Sequence, residues 1–277
     1  MKISLQLSLI PADTTKDKAK WAKDHGVEGL ELGVWGGGVA KLKKDADDIA
    51  GVVQISSVCG NVDTTDAVVF DFVNADSVKR RKCIEGCKKV LEFCGSVGAA
   101  GQIVPPMFGA AQVPDLSPVM SPRELEDKLM VAALKELGPV ATKNKTLFLL
   151  EPLNRYEQSY LRMQADGVRV IEASKARGVA LLSDFFHMHI EELNTPAAFR
   201  AAGKHVAHIH LADNTRMEPG TGDIDFVAGF RALLDIGFKG YMAYECGITG
   251  ENNADRAKNL AKSLDFVHAA IAKASKK

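Results

Sequence analysis

A (β/α)8 barrel forming a single domain over residues 1–277 is the fold this sequence predicts, on three observations. The length, 277 residues, is close to the ~250 typical of such barrels. Short apolar, β-branched runs alternate with amphipathic segments from end to end, the signature of β/α units closing on a parallel sheet. Carboxylate or imidazole residues end the last four of those runs, and strand C-termini in a barrel converge on one face.

The elements follow in chain order. Residues 2–9 are expected to be a strand rather than a signal peptide, because the apolar stretch in MKISLQLSLI is short, interrupted by Gln6 and Ser8, and lacks a small-residue cleavage site. A helix is expected over 14–25, a strand over 27–32 and a helix, with the faintest pattern of all, over 38–49. Between them Trp35 heads a Gly36-Gly37-Gly38 loop that could pass close to a ligand. It is not a G-x-G-x-x-G fingerprint and receives no nucleotide role. Strand 52–58 precedes helix 76–97, on which Cys83, Cys87 and Cys94 recur at spacings that share one face. Core packing explains them, since free cysteines are commonly buried.

Strand 101–104 opens a long loop from Pro105 to residue 120. Ser121, Pro122 and Glu124 then form a capping-box start for helix 122–142, with proline at the first helical position. Strands 146–151, 179–184, 206–211 and 241–245 alternate with helices 163–177, 188–202, 224–236 and 253–274. TLFLLE and VAHIHL are nearly continuously apolar, as in strands covered on both faces.

Composition narrows the function. With 46% hydrophobic and 25% charged residues the chain is that of a folded protein. Thirty-five basic residues balance thirty-five acidic ones, leaving no net field to draw nucleic acid or an anionic membrane. No run approaches the roughly 18 apolar residues of a membrane span. The five cysteines are odd in number and lack a C-x-x-C pair, fitting neither a disulfide framework nor a zinc ribbon. A cytoplasmic protein acting on a small molecule is the expectation, without nucleic-acid or membrane partners.

The chemistry is expected at the strand ends. The fifth strand closes on Glu151, the sixth on Asp184, the seventh on His210 and the eighth on Glu245. Three carboxylates so close together repel one another unless a positive charge sits among them, and a divalent cation resolves that conflict. Three oxygen donors and one imidazole suit Mn²⁺, Mg²⁺ or Co²⁺ better than a thiolate zinc site.

From Glu151 to Gly247 the sequence resembles the ketose 3-epimerases of the D-tagatose and D-allulose type, within the xylose isomerase-like barrel superfamily. EPLNRYE, SDFFHMHIEE, HIHLADNTR with PGTGDIDF, and YECG carry the resemblance. It implies a metal-dependent sugar epimerase or isomerase holding one divalent cation, Mn²⁺ first, on Glu151, Asp184, His210 and Glu245. It implies that Glu151 and Glu245 are the catalytic acid and base, that His187 and Arg216 bind substrate, and that Glu157 contacts its reacting end. A proton would leave the carbon beside the carbonyl of a free ketose and return to the opposite face through a cis-enediolate, whose charge the cation would offset as a Lewis acid. Each glutamate would then bind metal through one oxygen and keep the other free.

The resemblance implies relatives that are often dimers or tetramers, so a homo-oligomer is the expectation. Two residues from His210, His208 points inward as a supporting partner, while His189 turns away. The first strand, SLQLSLI, lacks the aromatic residues that commonly wall the sugar's distal end in this family, and the loop after the fourth strand could supply a different wall. No basic cluster marks a phosphate pocket. An aldose–ketose isomerase of the hydroxypyruvate type, or a dehydratase or lyase on a keto-sugar or keto-cyclitol, could use the same ligands. The three-zinc abasic-site endonuclease of the same superfamily needs further histidines at the second and third strand ends, and this chain has only His25 before His187.

Overall fold

Eight parallel strands pair in sequence order and the eighth closes on the first. They are β1 (Lys2–Gln6), β2 (Gly29–Gly33), β3 (Gln54–Cys59), β4 (Gly101–Val104), β5 (Leu147–Leu150), β6 (Val179–Asp184), β7 (Val206–Leu211) and β8 (Tyr241–Tyr244). The computed structural model describes residues 1–276. Around the barrel lie α1 (Thr15–Asp24), α2 (Gly38–Ile49), α3 (Ser77–Val97), α4 (Pro122–Lys143), α5 (Gln164–Ser174), α6 (Phe185–Glu191), α7 (Thr195–Ala202), α8 (Phe226–Asp235) and α9 (Asn253–Ala274).

Side-chain alternation along the strands decides what reaches the mouth. Phe148, Leu150 and Leu181 join the large core between barrel and helices, whereas Leu149, Ala180 and Leu182 pack with Cys59 and Ile103 in a separate cluster contributed by β3 to β6. Two residues beyond Leu149 is Glu151, and two beyond Leu182 is Asp184. The same period that fills the barrel with apolar side chains therefore turns these carboxylates inward at its C-terminal end. Cys83, Cys87 and Cys94 are fully buried along α3, as their spacing predicts.

Two expected elements differ. The first strand stops at Gln6 rather than residue 9, because Leu7–Leu9 winds into a 3-10 turn that carries the chain over the rim towards α1. The single helix expected over 188–202 is two. The Asp184 carboxylate accepts from the Phe186 amide at 2.7 Å and starts α6 earlier. Glu192 then goes extended and accepts from the Gln164 amide, and Asn194 caps α7, with Pro196 in a first turn that needs no amide proton.

Candidate metal centre

Glu151, Asp184, His210 and Glu245 each offer one ligand atom, and these atoms all lie within 4.8 Å of one another. His210 Nδ1 is 3.1 Å from Glu245 Oε2 and 3.6 Å from Glu151 Oε1. Glu151, Asp184 and His210 are buried and Glu245 is partly so. Glu151 Oε1, Asp184 Oδ2 and His210 Nδ1 are buried polar atoms without a hydrogen-bond partner among the described residues. Such atoms are costly when left alone, and convergence of three of them on one point is what a bound cation requires. A divalent ion fits this donor set.

The two glutamates are pushed apart in acidity. Burial raises the Glu151 carboxyl to about 7, with the charge of Glu245 adding to it. Burial acts on Glu245 too, but His210 and then Arg216 outweigh it and hold that carboxyl at about 2. Cys59 donates its thiol to Glu245 Oε1 at 3.5 Å, and Gln6 Nε2 donates to the same oxygen at 3.0 Å.

Behind the ligands stands a carboxylate that the sequence pattern does not single out. Glu31 is buried in the middle of β2, with Oε1 3.1 Å from His210 Nε2 and Oε2 3.3 Å from His208 Nε2. Ser57 Oγ donates to it at 2.7 Å and Gln6 Nε2 at 3.0 Å. Burial opposes its ionisation, but His210 and His208 hold it well below the usual carboxylate range. The available signal was a charged residue inside the otherwise apolar run of the second strand, shared there with Glu28. The pairing of β2 with β3 shifts between Leu30 and Glu31, leaving Ser56 without a partner on β2 and setting Ser57 opposite Glu31. His208 is buried in the supporting position expected of it, and burial lowers its imidazole. His189 is 3.5 Å from Asp223, away from the cluster.

The expected substrate-binding residues gather on one wall. His187 Nδ1 accepts from the Asn154 amide at 3.2 Å and lies 2.8 Å from Asn154 Nδ2. Burial lowers the imidazole, which favours the neutral ring. Arg216 Nη1 lies 2.9 Å from Nε2 of the same ring. The guanidinium and the imidazole thus stand side by side on this wall. Arg216 Nη2 donates to Glu245 Oε2 at 2.6 Å, and the guanidinium lies 4.6 Å over the Phe186 ring.

Arg216 sits at φ +60°, a left-handed turn that is strained for arginine. The PGTGDIDF segment holds this turn, because Asp213 accepts from the amides of Gly220 at 2.9 Å and Ile224 at 3.2 Å. Glu157 accepts from Asn154 Nδ2 at 3.2 Å beside His187. Its carbonyl accepts from the Gly109 amide at 2.7 Å, which ties the loop after β4 to the loop after β5. The loop does supply a wall: Phe108, edge-on to Phe70, lines a cavity of about 70 Å³ with Trp35, Glu157, His187 and Arg216.

A closed parallel barrel with a cluster able to hold a cation at its strand C-termini belongs to the barrels whose chemistry sits in the mouth. The chain is a member of the xylose isomerase-like TIM barrel family, which it matches over residues 19–270. It is 32% identical over 261 residues to 3-dehydro-D-guloside 4-epimerase of Escherichia coli strain K12, covering 92% of this chain and 95% of that protein. The apo crystal structure of 3-keto-D-glucoside 4-epimerase from E. coli superposes with a TM-score of 0.83 at 27% identity, covering 97% of this chain and 99% of the other. D-psicose 3-epimerase of Ruminiclostridium cellulolyticum is 35% identical over 115 residues, 42% of this chain and 39% of that protein.

Proposed function

We propose that this protein is a divalent-metal-dependent sugar epimerase that inverts the carbon beside a ketone. The observation that carries the reading is the pair Glu151 and Glu245, following different strands and converging on one point suited to a cation beside His187 and Arg216. Mn²⁺ is the ion proposed, and when bound it supplies Lewis-acid stabilisation of charge on the carbonyl oxygen. One glutamate removes the proton next to the ketone and the other returns a proton to the opposite face. His187 and Arg216 hold the oxygen on which enediolate charge develops, Glu157 positions the reacting end, and Phe108 and Trp35 limit access of water.

A free 2-ketose inverted at C3 and a 3-keto sugar inverted at C4 place the reacting carbon in the same relation to the ketone. The likeness along nearly the whole chain to an epimerase of a keto-glycoside favours the second, alongside the free ketose expected from the motifs. Five unpaired cysteines support a reducing, cytoplasmic setting. Among the described residues no helix is long and apolar enough to cross a membrane.

The test is incubation of Mn²⁺-loaded protein in D₂O with free ketoses and with 3-keto-glycosides, followed by NMR. Deuterium at the carbon next to the ketone together with its epimer, the inversion being lost in Glu245→Gln, is expected. Aldose product would mean an isomerase, loss of water a lyase, and no exchange with any keto-sugar would sink the reading.

A further inference from the structure

Next to the metal-side cavity lies a larger one of about 410 Å³, between the ends of β1 and β2 and helices α1 and α2. Trp35 lines both. Its ring lies against Gly33, where a Cβ would come within 2.5 Å of Cε3, and it reaches Gly60, where a Cβ would meet the ring at 3.4 Å. Nearly half of the side chain, 48%, nevertheless stays exposed. Glycines thus seat a flat apolar face at the junction of the two spaces.

Leu7 adds to the apolar side of the larger cavity, and its polar groups are Ser8, Thr15, Lys18, Glu31 and the Lys41–Asp45 ion pair. Two cations and two carboxylates offset one another, so a phosphoryl group would meet Glu31 and Asp45 as well as the lysines. A purely apolar group would strip water from the two lysines without replacing it. A neutral ring with C–H bonds on its face and hydroxyls around its edge satisfies both the indole and the polar rim. At the boundary stands the slim Gln6 amide, donating to Glu31 on one side and to the metal-site Glu245 on the other.

We propose that this cavity is the subsite for the second sugar ring of a glycoside whose first ring, bearing the ketone, reacts at the metal centre. The assignment rests on the reading of that centre as a keto-sugar epimerase.

The experiment compares two substrates with the same reacting ring, a 3-keto disaccharide and the corresponding methyl 3-keto-glycoside, on the Mn²⁺-loaded protein. Deuterium exchange reports turnover, and saturation-transfer NMR reports contact of the second ring with the protein. Wild type is expected to favour the disaccharide by about tenfold or more in kcat/KM and to saturate its second-ring protons. Ser8→Trp, which fills the cavity from an exposed position, is expected to abolish both through KM while the methyl glycoside changes less than about twofold, and Lys18→Met to weaken the disaccharide alone. Equal turnover of both substrates, no saturation of the second ring and no effect of either variant would overturn the subsite while leaving the epimerase intact. Saturation of the second ring that Ser8→Trp removes, without exchange on either substrate, would keep the subsite and overturn the epimerase.

Discussion

Glu31 braces His210 from behind, its Oε1 3.1 Å from Nε2 while Nδ1 of the same ring faces Glu245 at 3.1 Å. A carboxylate on the outer nitrogen keeps the proton there and leaves the Nδ1 lone pair for a metal. Glu31→Gln is therefore expected to weaken Mn²⁺ binding by about 10- to 100-fold. Titration followed by the electron paramagnetic resonance of free Mn²⁺ measures it, with circular dichroism to check the fold. Unchanged affinity would reduce Glu31 to a packing role.

Removing one of the two glutamates should separate proton exchange from inversion. In Glu245→Gln the remaining Glu151 can still trade a proton on its own face, so interconversion is expected to fall by about 10³ while one epimer keeps exchanging with solvent deuterium. Glu151→Gln should show the complementary preference. If either variant retained full epimerisation, the two-glutamate assignment would fail.

Among the described residues an oxygen of Glu151, one of Asp184 and Nδ1 of His210 lack partners, so a bound cation is expected to stabilise the folded state. Saturating the site at about 100 times Kd adds roughly 2.7 kcal/mol to stability. Stripping the ion with a chelator is expected to lower the melting temperature by roughly 5–10 °C, reversibly on adding Mn²⁺. Melting unaffected by chelator and by Mn²⁺ alike would remove the metal from the site.

The barrel was legible because its signals are local: alternation of strand and helix patterns, the Ser121–Glu124 capping box, and four strand ends each closing on a ligand-type residue. Glu31 was not, because it lies within an expected strand and the groups it meets, Ser57, His208 and His210, come from strands distant in sequence. Gln6 and Cys59 were hidden similarly: an amide and a thiol in strands carry no sign that they reach Glu245, which is distant in sequence. The break between α6 and α7 was legible in part, since Asn194 and Pro196 mark the second start, but the earlier start of α6 needs the Asp184 cap.

Arg216 Nη1 lies 2.9 Å from His187 Nε2 while Nη2 donates to Glu245, and only a planar fork can face both and still reach a substrate oxygen. Arg216→Lys is expected to lower kcat/KM by about tenfold or more with metal affinity little changed. Steady-state kinetics beside the Mn²⁺ titration separate the two effects. Loss of metal without loss of turnover on the loaded protein would assign Arg216 to the ligand shell instead.

Far from the site, Glu126 of α4 is buried with Oε1 lacking a partner, and burial raises its carboxyl to about 7, against the opposing charge of Arg123. The neutral acid is the form the fold prefers. Between the ordinary value of 4.5 and about 7, the folded chain keeps a proton that the unfolded chain has released, so rising pH favours unfolding across that window. The contribution is complete below the unfolded value and gone above the folded one. Glu126→Gln has the same shape without the charge, so its melting temperature should match wild type near pH 4 and exceed it by a few degrees near pH 8. Melting curves across that range decide it, and parallel curves for the two proteins would show that Glu126 finds a partner for its charge in the folded state.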